Sequence, residues 1–352
     1  MGAVQDGDDP HRDALSAWFS PEIAAALLAA RQGQEPRHLT GEPARFAAQF
    51  GWQRLSRLLE WHPLEPARLH LVRGGETLDP ATFRKQSKDG TTRLIAGALA
   101  NQLDRGATLV LNHAHELDPA LCALADAIAE ELQVRCGANI YASLGDEAGL
   151  ALHWDEHDVF VLQIAGRKHW RVHAAVEGEP FGLPPVDAAP AWEGVLEAGD
   201  VLHVPRGWAH SPAPLGEPSL HVTLSLTDPE FVTRDDDLPG PGDAKQLARP
   251  VFALPELMRA DPADWTCETR FRLASYRRLG FAKGEGGAMM LHAGKAALPC
   301  PGAAIPALRE LCSARETSLA RLEALAGSDS AADLRAVLAM LVKFGIAYAR
   351  NT

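Results

Sequence analysis

Hydrophobic residues recur at helical spacing in the N-terminal part of the chain, residues 14–60. Ile23 and Leu27 share one face of such a pattern, and Phe46 and Phe50 share another further along. A recurrence every three to four residues is the period of an amphipathic helix. The sequence therefore predicts a helical entry segment.

The pattern shortens from about Leu69 onward, where brief hydrophobic runs alternate with turn residues. Residues 69–77 read as a strand and a turn, and residues 107–112 as a short buried strand. Residues 92–103 and 119–132 have helical spacing, the second with a clear amphipathic pattern. This region is predicted to mix helices with strands.

Between residues 134 and 226 the hydrophobic runs are short and closely spaced. Glycine and proline punctuate them, and such residues mark turns between strands. A series of this kind is typical of a sandwich or a double-sheet jelly roll. The turn signals fall at residues 145–149, 165–167, 178–190, 199–200 and 205–207.

Residues 228–243 are polar and rich in Asp, Pro and Gly, which predicts a linker and a domain boundary. No internal repeat is evident. The order of elements predicted beyond the linker is typical of a winged-helix module. These elements are a helix over residues 245–278, a hairpin over residues 288–301 turning at Gly294, and helices over residues 305–325 and 331–348.

The 352 residues are 46% hydrophobic and 23% charged, the proportions of a soluble globular protein. The opening sequence MGAVQDGDDPHRD has no apolar run, so we expect neither a signal peptide nor a membrane span. Five scattered cysteines without a C-x-x-C pair argue against a disulfide framework and a cysteine zinc site. Together these features predict a cytoplasmic protein.

The formal net charge of -12 disfavours binding to nucleic acid or to an anionic membrane, because both require an excess of Lys and Arg. A basic partner would instead be attracted to the chain. The alternative is that the charge serves solubility alone.

A candidate metal site lies in the strand-rich region, where His153 and Asp155 are followed by His210. Residues i and i+2 of a strand project from the same face, so His153 and Asp155 can reach one ion. His210, from a neighbouring strand, would complete a facial triad suited to non-haem Fe(II). The H-x-D spacing alone is weak evidence, since His11 and Asp13 have it too. The alternative for each histidine is a hydrogen-bonded structural role.

The surroundings of these three residues resemble the JmjC-type cupin oxygenases, specifically the bacterial and nucleolar ribosomal oxygenases. The resemblance runs from Arg37 to Leu226 and is strongest over NIYAS, HWDEHDVFVLQIAGRKHW and GDVLHVPRGWAHSP. It implies an α+β fold with a double-stranded β-helix barrel, Fe(II) as cofactor, and 2-oxoglutarate and O₂ as co-substrates.

The resemblance also implies roles for individual residues. The iron ligands fall on His153, Asp155 and His210. Lys168 would bind the distal carboxylate of 2-oxoglutarate, for which a buried cation is required, and Tyr141 would donate a hydrogen bond to the same carboxylate. Without the resemblance, a solvated hairpin lysine and an ordinary half-buried tyrosine explain these two residues as well.

Two further co-substrate candidates are Asn139, by the resemblance, and Thr223. Thr223 belongs to a strand whose polar and apolar residues alternate strictly, so that one face is wholly polar. That face either lines the cavity or is exposed to solvent, and both explanations remain open. Its members are Ser219, His221, Thr223 and Ser225.

Four parts are predicted for the chain, the last by similarity to the order of domains in ribosomal oxygenases. They are an N-terminal helical segment (1–36), a JmjC-type cupin domain (37–228), a linker with a helical, dimerisation-like region (229–280) and a winged-helix-like domain (281–352). The winged helix has no basic stripe, so contact with protein is expected rather than with DNA. A homodimer is expected by the same similarity.

The predicted function is hydroxylation of a side chain of a protein or peptide, with a basic ribosomal protein as the expected substrate. Acidic residues flank the His153 strand and would attract such a substrate. They are Asp146, Glu147, Glu156 and Asp158. The alternatives are a tailoring hydroxylase of a ribosomally made peptide natural product and a non-catalytic cupin that binds a ligand.

Overall fold

The chain divides into two compact units, residues 1–228 and residues 229–352. No helix in the described ranges is long and apolar enough to cross a membrane. The computed structural model describes residues 10–33, 35–88, 91–132, 134–145, 149–176, 182–185, 187–227, 261–273, 279–283, 289–293, 296–314 and 316–350.

Four short helices open the first unit, as the helical spacing predicts. The second begins where Ser20 accepts a hydrogen bond from the backbone N–H of Ile23 (3.4 Å), which satisfies a donor at the helix start. Trp18 and Phe19 both pack against Phe46, with ring centroids 5.7 and 5.8 Å apart. The helices are α1 (Pro10–Trp18), α2 (Pro21–Ala30), α3 (Pro43–Gln49) and α4 (Trp52–Trp61).

The predicted series of strands is confirmed over the second half of this unit. The strands are β1 (Arg37–Leu39), β2 (Leu69–Arg73), β3 (Glu76–Thr77), β4 (Arg84–Gln86), β5 (Thr92–Leu94), β6 (Thr108–Leu111), β7 (Arg135–Ser143), β8 (Asp158–Ala165), β9 (Lys168–His173), β10 (Trp192–Leu196), β11 (Val201–Val204), β12 (Ala209–Pro214) and β13 (Ser219–Thr227).

Two antiparallel sheets form the barrel. The larger has the order β1-β11-β8-β13-β7-β6-β2-β3, and the smaller has the order β10-β9-β12. One apolar cluster joins strands of both sheets, so the sheets pack face to face as a jelly roll. The cluster comprises Val159, Val161, Trp170, Val172, Leu196, Leu202 and Val204.

Two helices accompany the sheets, α5 (Ala96–Asp104) and α6 (Pro119–Leu132). The prediction of α6 is confirmed at both ends, and this helix contacts β7. The helix predicted over residues 92–103 is wrong at its start. Residues 92–94 form β5 instead, because they pair with β4 in a hairpin.

The second unit has its own core, formed by helices and short strands that include Phe271, Leu308 and Leu338. Its elements are β14 (Arg270–Leu273), β15 (Gly280–Lys283), β16 (Met289–Ala293), β17 (Ala296–Pro299), α7 (Ile305–Ser313), β18 (Thr317–Ser318), α8 (Leu319–Ala326), α9 (Ala331–Lys343) and β19 (Ala347–Arg350).

The predictions for this unit need three corrections. Arg270–Leu273 was expected within a helix but is β14, since it pairs with both β18 and β19. The helix predicted over residues 305–325 is two helices divided by β18, and the last predicted helix ends at Lys343 before β19.

One further prediction for this unit is confirmed, and the others are not tested by the described residues. The pairing of the hairpin is confirmed by β16 and β17, whereas its predicted turn at Gly294 lies outside the described residues. Residues 228–260 and 274–278 lie outside the described residues. They include the whole predicted linker (228–243) and most of the helix predicted over residues 245–278. The four-part division and the winged helix stay predictions.

Candidate metal centre

The backbone brings His153 and His210 together. The two residues form an isolated antiparallel bridge with hydrogen bonds in both directions, from His153 N to His210 O (3.2 Å) and from His210 N to His153 O (2.7 Å). The N–H of Gly207 also donates to the carbonyl oxygen of Asp155 (2.9 Å). The segment before β8 is therefore fastened to the start of β12.

The side chains of His153, Asp155 and His210 converge on one point. One possible ligand atom from each lies within 4.8 Å of those of the other two. The Asp155 carboxylate is 3.5 Å from Nε2 of His210, and the two imidazole centroids are 4.4 Å apart. The structure thus brings together the three ligands predicted from the sequence.

Both imidazoles are held in the form that a metal requires. Nδ1 of His153 lies 2.9 Å from the carbonyl oxygen of Ala151, and Nδ1 of His210 lies 3.0 Å from that of Trp208. A carbonyl oxygen only accepts hydrogen bonds, so each Nδ1 carries the proton and each Nε2 keeps its lone pair. Burial, together with the neighbouring His153, lowers the pKa of His210 and keeps this ring neutral.

Two imidazoles and one carboxylate fit a divalent iron ion. Such a set leaves open coordination positions, which a bidentate co-substrate and O₂ can share. The donor types and their convergence are therefore those of a non-haem iron centre.

Lys168 lies inside the barrel at the start of β9. The turn before it depends on Gly166, whose φ is +64° and where a Cβ would lie 2.0 Å from the carbonyl oxygen of Pro218. Lys168 is 2% exposed, whereas Arg167 projects outward and pairs with Glu217 at 3.0 Å. The alternation of the strand therefore places the ammonium in the interior, as expected.

The Lys168 ammonium contacts only neutral groups among the described residues. Its Nζ lies 3.1 Å from Oγ of Ser143 and 3.5 Å from Nδ1 of His221, and no described carboxylate pairs with it. Burial lowers the pKa of Lys168 to about 7. A buried cation without an anion is costly. This position fits the distal carboxylate of a dicarboxylate such as 2-oxoglutarate.

Asn139, Tyr141 and Thr223 lie on neighbouring strands, β7 and β13. Asn139 is the register partner of Thr223, and Tyr141 is that of His221. Asn139 Oδ1 accepts a hydrogen bond from the backbone N–H of His113 (2.9 Å). Burial, and secondly the Asp155 charge, raise the pKa of Tyr141 to about 12, so its hydroxyl stays protonated and able to donate.

The polar face of β13 points into the barrel. Ser219 and His221 are buried, and Thr223 and Ser225 are half-buried, which favours a cavity lining over a solvent face. His221 stacks on Tyr141, with ring centroids 4.8 Å apart and planes 7° apart. His221 and Ser143 were not identified as site residues from the sequence. The alternation of β13 was the available signal for His221.

A second group of possible ligands, His113, His115 and Glu116, does not suit a metal. Nδ1 of His115 accepts a hydrogen bond from the backbone N–H of Ala138 (3.0 Å), so Nε2 carries the proton and has no lone pair to offer. Glu116 is paired with Arg68 at 2.6 Å.

The acidic residues near the triad differ in their surroundings. Asp158 is engaged by buried His203 (3.2 Å), and it also accepts from the backbone N–H of Arg206 (3.4 Å). Glu156 is exposed. Asp146 and Glu147 lie outside the described residues. Asp158 is therefore a structural carboxylate, and Glu156 carries the prediction of an attractive rim.

Comparison with known proteins agrees with this geometry. Residues 111–233 match the JmjC domain family, and this range includes all the site residues predicted above. A protein of Caenorhabditis elegans, "Bifunctional lysine-specific demethylase and histidyl-hydroxylase NO66", is 30% identical over 198 residues, which are 52% of this chain and 25% of that protein. "Ribosomal oxygenase 1" of Rattus norvegicus is 30% identical over 166 residues, 44% of this chain and 28% of that protein.

The chain thus matches about a quarter of the length of these curated relatives. Among solved structures, the ribosomal oxygenase YcfD of Escherichia coli in complex with cobalt and 2-oxoglutarate superposes with a TM-score of 0.53. The superposition covers 93% of this chain and 98% of YcfD at 15% identity, and it confirms the cupin-type fold.

Proposed function

We propose that this JmjC-domain protein is an Fe(II)- and 2-oxoglutarate-dependent oxygenase that hydroxylates a side chain of a protein or peptide. One observation carries the proposal. A His-Asp-His triad with both Nε2 lone pairs available shares the barrel interior with a buried lysine that pairs with no carboxylate in the part of the chain that the structure describes.

His153, Asp155 and His210 would hold the iron, and Lys168, Tyr141, Asn139 and Thr223 would bind 2-oxoglutarate. When bound, the metal and the co-substrate supply the oxidising chemistry that inserts oxygen into a C–H bond. The protein positions the groups and excludes water, since catalysis of this kind depends on orientation in a protected cavity.

A basic polypeptide is the proposed substrate. The net charge of -12 and the exposed carboxylate of Glu156 would attract one. The names of the relatives, which include a histidyl-hydroxylase and a ribosomal oxygenase, support a protein substrate.

Turnover of 2-oxoglutarate by the Fe(II)-loaded protein tests the proposal. Formation of succinate in the absence of a substrate, lost in Asp155→Ala and kept in His157→Ala, would support it. Binding of 2-oxoglutarate without succinate under any condition would instead favour a non-catalytic cupin.

The class of substrate needs a second experiment. A proteome from cells lacking this protein is incubated with the active enzyme and searched for peptides that gain one oxygen atom. Modified basic proteins would support the proposal. A modified peptide natural product, with no protein modified, would favour the tailoring hydroxylase.

A cytoplasmic location, a homodimer and the absence of nucleic-acid binding are further proposals. Cell fractionation, light scattering and a nucleic-acid binding assay test them in turn.

A further inference from the structure

His221 is a buried histidine that the proposed roles above do not use. It lies on β13 between the triad and Lys168, and it is 1% exposed. Three residues contact its ring and define its orientation: Tyr141, Trp170 and Lys168.

The Lys168 ammonium has three N–H donors. Oγ of Ser143 accepts one at 3.1 Å, and Nδ1 of His221 faces a second at 3.5 Å. No residue in the described ranges accepts the third donor, which is therefore left for a bound anion. His221 and Ser143 therefore determine the direction in which the remaining donor points.

The His221 ring is in the form that this role requires. Burial, and then the charge of Lys168, lower the pKa of His221 well below its ordinary value, so the ring is neutral. With Nδ1 accepting from the ammonium, the ring proton is on Nε2.

Aromatic contacts fix the ring in place. His221 stacks on Tyr141 at 4.8 Å and meets Trp170 edge to face, at 5.4 Å and 77°. Trp170 in turn stacks against His210 at 6.1 Å and 26°. A continuous row of rings thus links the Lys168 pocket to a ligand of the triad.

We propose that His221 is a positioning residue that aims Lys168 at the distal carboxylate of the co-substrate. The inference rests on the proposed function. It assigns to His221 two separable properties, an acceptor at Nδ1 and an aromatic ring that keeps the acceptor in place.

Co-substrate binding without turnover tests the inference. The Mn(II)-loaded protein is titrated calorimetrically with 2-oxoglutarate, and the Mn(II) affinity of each variant is measured separately. His221→Phe keeps a ring and removes the acceptor, whereas His221→Asn keeps an acceptor and removes the ring. Ser225→Ala, on the same polar face, is the matched control.

His221→Phe should weaken 2-oxoglutarate binding by about tenfold to a hundredfold, the range for a hydrogen bond to a charged group. His221→Asn should recover part of the loss, Ser225→Ala should bind as the wild type does, and Mn(II) affinity should be unchanged throughout. Wild-type binding of 2-oxoglutarate by folded His221→Phe would overturn the inference.

A measurement on the wild type covers the case in which His221→Phe does not fold. Nitrogen NMR of the Zn(II)-loaded protein reports the tautomer of each histidine. A proton on Nε2 of His221 supports the inference, and a proton on Nδ1 overturns it. If the wild type fails to bind 2-oxoglutarate at all, the proposed function itself is wrong, an outcome distinct from equal binding by wild type and variant.

Discussion

His153 and His210 are joined through their backbones by a reciprocal pair of hydrogen bonds, with N to O distances of 3.2 and 2.7 Å. Their side chains are therefore brought together by peptide groups, and the junction does not require a bound ion. Replacing either side chain should leave the junction between the segment before β8 and the start of β12 intact.

His210→Ala should abolish turnover and strongly weaken metal binding while the protein stays folded. The triad has three protein ligands, so loss of one removes a third of the donors. Metal titration and circular dichroism check this. His157→Ala, which changes a histidine outside the triad, is the control and should bind metal normally. Wild-type metal affinity in His210→Ala would remove His210 from the proposed site.

Lys168→Met should weaken 2-oxoglutarate binding by about 3 to 5 kcal/mol, because a buried carboxylate would lose its charge partner. Metal affinity should change little, since Lys168 is not a ligand. Calorimetry on the Mn(II)-loaded protein measures both quantities. Arg171→Met, on the outward face of the same strand, is the control. Equal co-substrate affinity in both variants would show that the distal carboxylate is bound elsewhere.

Lys168→Met should raise the free energy of unfolding when no co-substrate is present. Burial lowers the pKa of Lys168 from 10.5 to about 7, so between these values the unfolded chain binds more protons than the folded one. The contribution of Lys168 to stability therefore rises as the pH increases from about 7 towards 10.5.

Thermal unfolding of the wild type and of Lys168→Met at several pH values checks this prediction. Lys168→Met should be the more stable protein near neutral pH, and its advantage should shrink in alkaline buffer. A difference that does not vary with pH would mean that Lys168 titrates normally in the fold.

Glu156→Lys should slow the association of a basic substrate and reduce its dependence on salt. Exposed charges act mainly on encounter rates and are screened as ionic strength rises. Stopped-flow association at low and physiological salt measures the effect. Glu60→Lys changes an exposed carboxylate on α4 and serves as control. An unchanged salt profile would indicate that Glu156 is a solvated surface residue without a role in attraction.

Gly166→Ala should destabilise the barrel, since φ is +64° and the added Cβ would meet the backbone of Pro218. Gly97→Ala is the matched control in α5, where no atom lies within 4 Å of the new Cβ. It should stabilise by about 0.5 to 1 kcal/mol, because alanine favours a helix. Chemical unfolding compares the two variants with the wild type, and equal stability in Gly166→Ala would disprove the steric argument.

The periodicity of hydrophobic residues predicted the faces and the ends of single helices and strands, which depend on residues close together in the sequence. The strict alternation over residues 219–226 separated the two faces of β13, and the amphipathic spacing of residues 119–132 gave the bounds of α6. Hydrophobic periodicity is decisive where one face of an element is buried.

The remaining features depend on partners that are distant in sequence. β14 looked helical until its pairing with β19 was known, and Asp158 looked like a rim carboxylate until His203 was seen beside it. The position of His221 between Tyr141 and Trp170 likewise depends on three strands that no local pattern could align.

The carbonyl oxygens of Ala151 and Trp208 set the proton on each ligand imidazole before any ion arrives. A site prepared in this way has little means of rejecting a competitor, and copper or zinc binds such nitrogen and oxygen donors more tightly than iron does. Iron occupancy is then decided by the supply of metals in the cell. Protein isolated from a zinc-rich medium should carry zinc and be inactive, although its sequence and its fold are unaltered.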